Sequence, residues 1–381
     1  MAGLYLHVPF CRQACHYCDF HFSTSLGNMA AMVEAMCREI EIRSSAGRNS
    51  TLETIYFGGG TPSLLSTQML DRLFSAVHRN FNLTPGAEIT LEANPDDISA
   101  ENLRAWKSMG INRLSIGLQS SHDERLAWMN RSHSAQDGDR AVKSAQDGGI
   151  ENITVDLMYG FPGTDSKELD EDLAYILSLK TQHISAYSLT IEPETVFGRR
   201  LKKGELLSLP DEEGAARFLQ VFDGLEAAGF RGYEISNFAL PGSEAVHNRN
   251  YWLQKPFIGI GPAAHGFDGH DLRWENKPNN VAYMKALQAG VLAETPEKLF
   301  LSGLANEFIL TRLRMREGLP IQEFRQLFGM DLQHLKADVI GNAITQAWVL
   351  QEADKILLTR NGRLLADHLA MELFTEDSDF A

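Results

Sequence analysis

The chain has 381 residues, more than one typical domain needs, so one large and one small domain are expected. Its 35 basic and 50 acidic residues give a net charge of −15, which argues against nonspecific binding to nucleic acid or acidic membranes. No apolar stretch is long enough to span a bilayer, and the N-terminus lacks the pattern of a signal peptide. These features predict a cytoplasmic protein that does not bind nucleic acid.

Three cysteines near the N-terminus carry the strongest chemical signal. Cys11, Cys15 and Cys18 form a CxxxCxxC pattern directly after an alternating stretch that predicts a strand. Thiolate sulfur suits iron–sulfur chemistry, and three thiolates on one loop can hold three irons of a [4Fe–4S] cluster. The fourth iron would then have no protein ligand, and an open metal position can bind a substrate or cofactor. The pattern therefore predicts a cluster with one open site.

Zinc binding and disulfide formation are alternative uses of these cysteines. A structural zinc site could recruit one of three nearby histidines, His7, His16 and His21. Zinc sites usually pair two CxxC-like halves, and the sequence has no second half. Disulfides are not expected, because clustered cysteines in a long chain without a signal peptide indicate a reducing compartment. Cys37 lies alone in a helical stretch and is expected to be a buried apolar residue.

After the cysteine loop, hydrophobic patterns predict a repeating strand–helix series. In chain order the predicted elements are a helix over 29–43, a strand over 52–57, a helix over 67–79, a strand over 87–95, a helix from the N-cap Ser99 to Met109, a strand over 113–119, helical segments to 147, a strand and turn over 152–163, a helix over 165–179 and a strand over 183–189. Such alternation indicates right-handed βαβ units and a parallel sheet. About six units precede residue 190, fewer than the eight of a closed (β/α)₈ barrel.

The pattern changes from about residue 200. We predict a helix over 211–228, loops to about 280, a mostly helical stretch over 281–314, a helix over 338–348 and a hairpin around Asn361-Gly362, which together suggest a small winged-helix-like C-terminal domain. The expected segments are 1–200, a partial barrel with the cysteine loop; 201–295, a region that closes the barrel; and 296–381, the C-terminal domain.

Further candidate site residues lie at the ends of the predicted strands, where the loops of a parallel barrel converge on a ligand. The turn Gly58-Gly59-Gly60-Thr61-Pro62 offers backbone groups that a ligand can approach closely. Glu92, Gln119, Arg131 and Asp156 end or follow successive strands. One carboxylate could accept hydrogen bonds from a ribose diol, and the guanidinium could bind a carboxylate. Each alone could be a satisfied buried group, but we expect most of the set to line one cavity.

A second group of candidates is the run His247-Asn248-Arg249-Asn250-Tyr251-Trp252. Neutral imidazole is a common ligand of heme iron, and the two aromatic side chains could stack on a flat macrocycle. His247 as heme ligand and His247 as part of a cavity wall are weighted equally. His265 is a weaker candidate, in a segment over 258–266 that is expected to close the open side of the barrel.

Together these motifs resemble the radical S-adenosylmethionine (SAM) family. The run Tyr5-Leu6-His7-Val8-Pro9-Phe10-Cys11 is similar to the branch that holds oxygen-independent coproporphyrinogen III oxidases and related heme chaperones. The resemblance implies a partial (β/α)₆ barrel and a [4Fe–4S] cluster whose open iron is chelated by SAM, which is cleaved to a 5′-deoxyadenosyl radical. It also implies that the following residues contact SAM: Tyr5, Tyr17, Gly59, Gly60, Thr61, Glu92, Gln119, Arg131 and Asp156.

The resemblance leaves two functions of different classes. An oxidase would convert two propionates of coproporphyrinogen III to vinyl groups with loss of CO₂, whereas a chaperone would carry heme to apo-hemoproteins. Oxidases of this branch have a fourth cysteine in CxxxCxxCxC, where this chain has Phe20, and an extra segment before the run that here begins at Tyr5. The HNxxYW motif and the turn Glu92-Ala93-Asn94-Pro95 resemble the chaperone branch. We therefore expect a heme chaperone, with a radical SAM enzyme acting on another substrate as a third alternative.

This function implies heme as cargo. The expected partners are apo-hemoproteins, some of them at the membrane, and an electron donor to the cluster. A loosely held homodimer is expected from the family. The scaffold should be able to cleave SAM but should lack coproporphyrinogen III oxidase activity, and no catalytic residue can be assigned.

Overall fold

The computed structural model describes residues 2–45 and 51–380. Six parallel strands lie side by side in the order of the chain and form the centre of a mixed sheet. These strands are β1 (Ala2–Val8), β2 (Thr51–Gly59), β3 (Asn82–Ala93), β4 (Arg113–Gln119), β5 (Asn152–Tyr159) and β6 (His183–Ser188). This arrangement confirms the predicted partial (β/α)₆ barrel.

Helices between these strands follow the predicted boundaries closely. They are α1 (Met29–Ser45), α2 (Thr67–Asn80), α3 (Ala100–Ser108), α4 (Asp123–Trp128), α5 (Ala135–Asp147) and α6 (Ser166–Ser178). Ser99 caps α3 as predicted, since its side chain accepts a hydrogen bond from the backbone N–H of Asn102. Side chains of Ser66, Ser134 and Asp165 do the same for α2, α5 and α6. Local capping chemistry therefore sets where most of these helices begin.

The middle of the chain extends the sheet at both edges. It contains α7 (Val196–Lys202), α8 (Asp211–Ala227), β7 (Arg231–Gly232), β8 (Asn237–Ala239), α9 (Val246–Trp252), β9 (Phe257–Ile260), β10 (His265–Phe267), β11 (Leu272–Asn276), α10 (Asn280–Gln288) and β12 (Glu294–Lys298). The twelve-stranded order is β12-β11-β10-β9-β1-β2-β3-β4-β5-β6-β8-β7.

One sequence-based expectation for this region was wrong. The stretch predicted as loops to about residue 280 holds five short strands and α9, whereas 281–314 is mostly helical as predicted, with β12 between α10 and α11. Strands of two to five residues are too short to show a clear alternating pattern. In the segment over 258–266, which was predicted to close the open side of the barrel, β9 pairs in parallel with β1 and extends the sheet beyond the barrel strands.

The C-terminal part forms a small unit with its own hydrophobic core. Its elements are α11 (Leu301–Arg314), β13 (Leu319–Pro320), α12 (Ile321–Phe328), α13 (Leu332–Leu335), α14 (Ala337–Thr345), β14 (Val349–Glu352), β15 (Lys355–Leu358) and α15 (Ala366–Glu372). The three strands pair in the order β13-β15-β14. Helix, strand, helices and a β-hairpin follow one another as in a winged helix, in agreement with the predicted resemblance.

The predicted position of the hairpin was wrong. The turn between β14 and β15 lies at Ala353-Asp354, and Ala353 has a φ of 52°. Asn361 has a right-handed helical backbone conformation, with a φ of −75°, and precedes a short 3₁₀ turn. A Cβ on Gly362 would lie 1.8 Å from the carbonyl oxygen of Trp348. The glycine is therefore required by close packing, and the Asn-Gly pair does not mark the hairpin.

A large core fills the barrel unit and a second one fills the C-terminal unit. Strand residues such as Leu4, Leu6 and Ile55 are fully buried because helices or further strands cover them. Within residues 2–45 and 51–380, no helix combines the length and the apolar character needed to cross a bilayer.

Candidate cluster and cofactor site

The loop between β1 and α1 brings three thiols to one cavity. Cys11, Cys15 and Cys18 line a space of about 490 Å³ at the C-terminal ends of the parallel strands. The N–H of Cys11 donates to the carbonyl of Ser23 at 3.1 Å, and that of Cys18 to the carbonyl of Cys15 at 3.3 Å. The volume lies within the range of small-molecule sites. The three predicted metal ligands thus share the cavity in which a cofactor could bind.

Contacts with the rest of the barrel fix the cysteine loop. The N–H of His16 donates to the carbonyl of Met129 at 3.0 Å, and its ring Nδ1 lies 2.8 Å from the carbonyl oxygen of Trp128. The side chain of Gln13 donates to Asn130 Oδ1 at 2.7 Å. These bonds attach the loop to the end of α4, so the spacing between the thiols is set by the fold as well as by the loop.

Two polar side chains donate hydrogen bonds to the sulfurs. Thr61 Oγ1 and Arg131 Nη1 lie 3.5 Å from the Sγ atoms of Cys11 and Cys15 respectively. Burial raises the pKa of Cys11, and burial together with the neighbouring thiols raises the pKa of Cys18 to about 12. The thiols of Cys11 and Cys18 therefore hold their protons at neutral pH, and metal binding must displace these protons. Three soft ligands, two of which accept hydrogen bonds from side-chain donors, fit an iron–sulfur cluster.

The histidines that a zinc site would need have other partners. His7 Nδ1 lies 3.1 Å from the hydroxyl of Tyr5, and its Nε2 lies 2.8 Å from the carbonyl oxygen of His21. His21 Nε2 lies 2.7 Å from Asn280 Oδ1. In the described part of the chain, no three His, Cys, Asp or Glu side chains are placed to hold a single metal ion. The geometry thus gives no support to the zinc alternative.

Cys37 is buried in α1, as predicted.

The glycine turn after β2 packs tightly against the start of the cysteine loop. Gly59 has a φ of +105°, and a Cβ there would lie 2.6 Å from the ring of His7. A Cβ on Gly60 would lie 2.6 Å from the carbonyl oxygen of Phe10. The N–H of Thr61 donates to that same oxygen at 2.7 Å. Gly59 and Gly60 therefore have to lack side chains so that the turn can pack against the cysteine loop. The same glycines also leave the backbone accessible to a ligand.

Arg131 connects three sides of the cavity. Its Nη2 donates to Asn94 Oδ1 at 2.9 Å and to the carbonyl of Gly117 at 2.8 Å, while Nη1 reaches Cys15. Burial lowers its pKa, but the nearby Tyr17, Cys15 and Asp156 outweigh this effect and the pKa is raised overall. The guanidinium is thus held charged inside a site that could receive a carboxylate.

Two carboxyl groups lie on the floor of the cavity. Glu92 accepts hydrogen bonds from the hydroxyl of Tyr56 at 2.8 Å and from the N–H of Gly59 at 3.2 Å. Burial, with a smaller contribution from Asp156, raises the pKa of Glu92 to about 7. Burial raises the pKa of Asp156 to about 6, although hydrogen bonds from Ser185 and Ser115 oppose the shift. These groups can change protonation near neutral pH, and ligand donors would favour their charged forms.

Gln119 is held in an unusual backbone conformation. It ends β4 with a φ of 74°, next to a shift in the register between β4 and β5. Such left-handed conformations are costly for residues other than glycine and concentrate at functional sites. The bulge directs a buried amide toward the cavity.

Most of the predicted site residues line this one cavity. They are Cys11, Cys15, Tyr17, Cys18, Gly59, Gly60, Thr61, Glu92, Gln119, Arg131 and Asp156. Tyr5 does not line it, but faces a smaller inner cavity of about 200 Å³ that shares Glu92 and Asp156 with the outer one. Most of the residues predicted to bind the cluster or SAM therefore face a single cavity, as expected. Tyr5 is the exception, because it faces the inner cavity.

Sequence reasoning missed several residues of the two cavities. Ser115 and Tyr187 line both, and Asn94 and Tyr56 each line one and bond to a predicted site residue. The alternation of side chains along the strands could have identified Ser115, which lies on the same face of the sheet as Asp156 of the neighbouring strand, with its Oγ 3.4 Å from Asp156 Oδ1. Asn94 follows β3 in the turn Glu92-Ala93-Asn94-Pro95, which was singled out as a motif in the sequence but was not assigned to the site.

His247 lies in α9, on the wall of the inner cavity. Its Nδ1 lies 2.7 Å from Thr54 Oγ1, and its Nε2 lies 2.8 Å from the hydroxyl of Tyr251. Burial lowers its pKa to about 3, so the imidazole is neutral. The ring stacks on Tyr56 with 5.0 Å between centroids. Both ring nitrogens are engaged, and the inner cavity is smaller than typical small-molecule sites. This arrangement favours the cavity-wall alternative over iron ligation.

The other residues of the motif face in different directions. Trp252 points away from the cavity, and the guanidinium of Arg314 in α11 lies 5.4 Å from its ring centroid. Arg249 forms an ion pair with Glu317, so α9 is held between the barrel and the C-terminal unit. His265 is 65% exposed at its side chain and lies on another surface, away from both cavities.

The fold and the site define a radical SAM protein. Residues 5–176 match the Radical SAM superfamily and residues 303–365 match the HemN C-terminal domain. A protein from Bacillus subtilis named heme chaperone HemW is 33% identical, covering 97% of this chain and 98% of its own. The Escherichia coli protein of that name is 35% identical over 98% of this chain and 97% of its own. The chain therefore belongs to the HemW family.

A solved structure shares the fold of the whole chain. Coproporphyrinogen III oxidase (HemN) from Escherichia coli superposes with a TM-score of 0.85, covering 98% of this chain and 90% of its own, at 21% identity. At that identity the likeness shows the fold alone, because one fold supports different functions. Membership of the superfamily confirms the predicted cofactors, a [4Fe–4S] cluster and SAM.

Proposed function

We propose that this protein is a heme chaperone that binds heme and delivers it to apo-hemoproteins, using a radical SAM site. The observation that carries the proposal is its similarity, over nearly its full length, to proteins named heme chaperone HemW. Phe20, at the position of the fourth cysteine of the oxidases, supports this function over coproporphyrinogen III oxidation.

Cys11, Cys15 and Cys18 are the proposed ligands of the [4Fe–4S] cluster. When bound, the cluster supplies an electron and an open iron that SAM can chelate. Thr61 and Arg131 would stabilise the charged sulfurs by donating hydrogen bonds to them. No other described residue is assigned to the metal.

SAM would occupy the rest of the outer cavity. We assign its contacts to Tyr17, Gly59, Gly60, Thr61, Glu92, Gln119, Arg131 and Asp156, which all line that space. Arg131 is suited to the carboxylate of SAM, and Glu92 and Asp156 to its ammonium or ribose hydroxyl groups. Tyr5 would contact SAM from the side of the inner cavity, which it lines together with Glu92.

The proposed heme contacts are His247, Tyr251 and Trp252. Each of the two rings of His247 and Trp252 could reach heme only after an existing contact is broken. His247 can bind iron only if the hydroxyl of Tyr251 or that of Thr54 leaves its ring nitrogen. Trp252 can reach heme only if Arg314 moves off its ring. Heme binding through this motif therefore requires α9 to shift away from the barrel or from the C-terminal unit.

The remaining parts of the proposal concern location and partners. Cysteine usage supports a reducing cytoplasmic location. Apo-hemoproteins, some at the membrane, would receive the heme, and an electron donor would reduce the cluster. The chain would form a loosely held homodimer. The net charge of −15 disfavours nucleic acid as a partner.

A transfer experiment tests the chaperone function. Heme is loaded onto the anaerobically reconstituted protein, excess heme is removed, and apo-myoglobin is added while the Soret band is followed. The proposal predicts one bound heme per chain and transfer to the acceptor. Absence of saturable heme binding would contradict it.

A further inference from the structure

The short helix α7 carries an unusual concentration of positive charge. The end of α7 and the C-cap residue that follows it read Arg199-Arg200-Leu201-Lys202-Lys203, and no other five-residue window of the sequence has four basic residues. Arg199, Lys202 and Lys203 are exposed, and their spacing of three and four residues places them on one face of the helix. We call the four cations Arg199, Arg200, Lys202 and Lys203 the α7 basic patch.

The cations of this patch have no acidic partner among the residues that the structure describes. Among the described residues, the guanidinium of Arg199 donates only to the backbone carbonyl of Glu194, at 2.7 Å. Exposed carboxylates of Glu194 and Glu205 flank the patch, which leaves four cations against two carboxylates. The other dense basic run, over 312–316, differs because each of its arginines forms an ion pair. An unpaired patch is notable in a chain with a net charge of −15.

The patch lies directly beside the cysteine loop. Phe197, in the first turn of α7, donates its N–H to the carbonyl of His16 at 3.0 Å. Its ring packs on Trp128 with 4.0 Å between centroids and against the ring of His16 at 5.6 Å. Because a helix rises about 1.5 Å per residue, the whole patch lies within about 10 Å along the axis from this contact. His16 itself lies between Cys15 and Cys18.

Position and charge together identify a partner. We propose that the α7 basic patch is the docking surface for an acidic one-electron donor protein that reduces the cluster. An anionic surface is attracted to unpaired cations, which speeds encounter and fixes orientation. Docking at α7 brings the donor's redox group next to the loop that holds the three thiolates. This inference rests on the proposed cluster and names the partner that supplies its electron.

The proposed transfer moves a single electron between the two proteins. One electron leaves the reduced flavin or iron–sulfur group of the donor, which is oxidised by one electron. The same electron enters the cluster, which passes from its 2+ to its 1+ state. No proton or other group has to move between the proteins.

Charge reversal tests the surface independently of cluster chemistry. The probe is a fluorescently labelled acidic flavodoxin, and its binding to the cluster-free chain is followed by anisotropy at low and high salt. The test variant is Lys202→Glu with Lys203→Glu. The control is Lys143→Glu with Lys167→Glu, two exposed lysines on α5 and α6 that give the same change in net charge. In a second experiment, flavodoxin hydroquinone or dithionite reduces the reconstituted cluster in each protein.

We expect the test variant to weaken flavodoxin binding roughly tenfold at low salt, and the control to stay within about twofold. Salt should weaken binding to the unmodified protein more than binding to the test variant. Flavodoxin should reduce the cluster of the test variant more slowly, while dithionite reduction and iron content stay unchanged.

Equal flavodoxin binding by all three proteins would overturn the proposal, as would binding that does not depend on salt. A test variant that binds flavodoxin normally but loses affinity for heme would also overturn it, because the patch would then hold the heme propionates. If no protein assembles a cluster, the anisotropy measurement still decides whether flavodoxin docks, so failure of the proposed cluster is distinguishable.

Discussion

Arg131 Nη1 lies 3.5 Å from Cys15 Sγ, so a single side chain joins the cysteine loop to the ends of two strands. Its Nη2 donates to Asn94 after β3 and to the carbonyl of Gly117 in β4. A lysine cannot reproduce this, because an ammonium lacks the planar fork that reaches separate acceptors. Arg131 therefore links the metal side of the cavity to its cofactor side.

We expect Arg131→Ala to lower the free energy of unfolding by about 2–4 kcal/mol, because it leaves buried acceptors unpaired. Affinity for SAM should fall as well, and Arg131→Lys should restore little of either loss. Thermal unfolding and calorimetric titration with SAM measure the two effects. Arg140→Ala, at an exposed position, is the control and should stay within about 0.5 kcal/mol. Unchanged SAM affinity in Arg131→Ala would remove this residue from the site.

The assignment of the cluster predicts a sharp division among the four cysteines. Replacing Cys11, Cys15 or Cys18 by Ala should abolish a cluster of about four irons after anaerobic reconstitution. Cys37→Ala should retain it, because that side chain is buried in α1 with its Sγ 3.7 Å from the carbonyl oxygen of Arg72. Iron analysis and the visible spectrum report the outcome. Equal iron in all four variants would disprove the assignment.

Glu92 should make stability depend on pH in a defined direction. Its pKa is about 7 in the folded protein and is near 4.5 in the unfolded chain. The native state therefore keeps this proton to a higher pH, and the free energy of unfolding falls as pH rises from about 4.5 to about 7. Relative to the unmodified protein, Glu92→Gln should gain about 2 kcal/mol between pH 5 and pH 8.

Urea unfolding of the cofactor-free protein at several pH values measures this difference. The exposed substitution Glu124→Gln serves as the control and should show no such trend. A difference between Glu92→Gln and the unmodified protein that stays constant with pH would show that Glu92 does not titrate in this range.

Substitutions at His247 and Tyr251 distinguish the two proposed roles of the His247 imidazole, which are to bind heme iron or to form part of the cavity wall. If His247 binds heme iron, His247→Ala should abolish binding, whereas Tyr251→Phe frees Nε2 and should preserve or strengthen it. If His247 is part of the cavity wall, both variants should bind heme normally and differ only in stability. Heme titration followed at the Soret band distinguishes these results. Loss of heme binding in Tyr251→Phe alone would contradict both roles and would point to the hydroxyl as a direct contact.

The parallel barrel could be predicted because its signals are local and repeated. Its strands are long enough to show a pattern, and side chains such as that of Ser99 cap the helices. Strands β7 to β12 could not be predicted, because they are short and their pairing depends on contacts far along the chain. β9 illustrates this, since its place in the sheet is fixed by pairing with β1 more than 240 residues earlier.

Candidate site residues could be predicted from the sequence where they lie at the ends of parallel strands. Glu92 and Asp156 were identified because each ends or follows a parallel strand, and these ends converge. Depth could not be inferred, so Tyr5 was grouped with the outer cavity although it faces the inner one. The motif containing His247 and Trp252 could not show that the two rings point in different directions, because this depends on how α9 packs between the barrel and α11.

The heme-chaperone function is tested by comparing heme with coproporphyrinogen III on the same preparation. Anaerobically reconstituted protein is titrated with heme, and a second sample receives coproporphyrinogen III, SAM and a reductant. We expect saturable heme binding and no formation of protoporphyrinogen IX. Formation of protoporphyrinogen IX without specific heme binding would contradict it, and would show that an oxidase can function with Phe20 in place of the fourth cysteine.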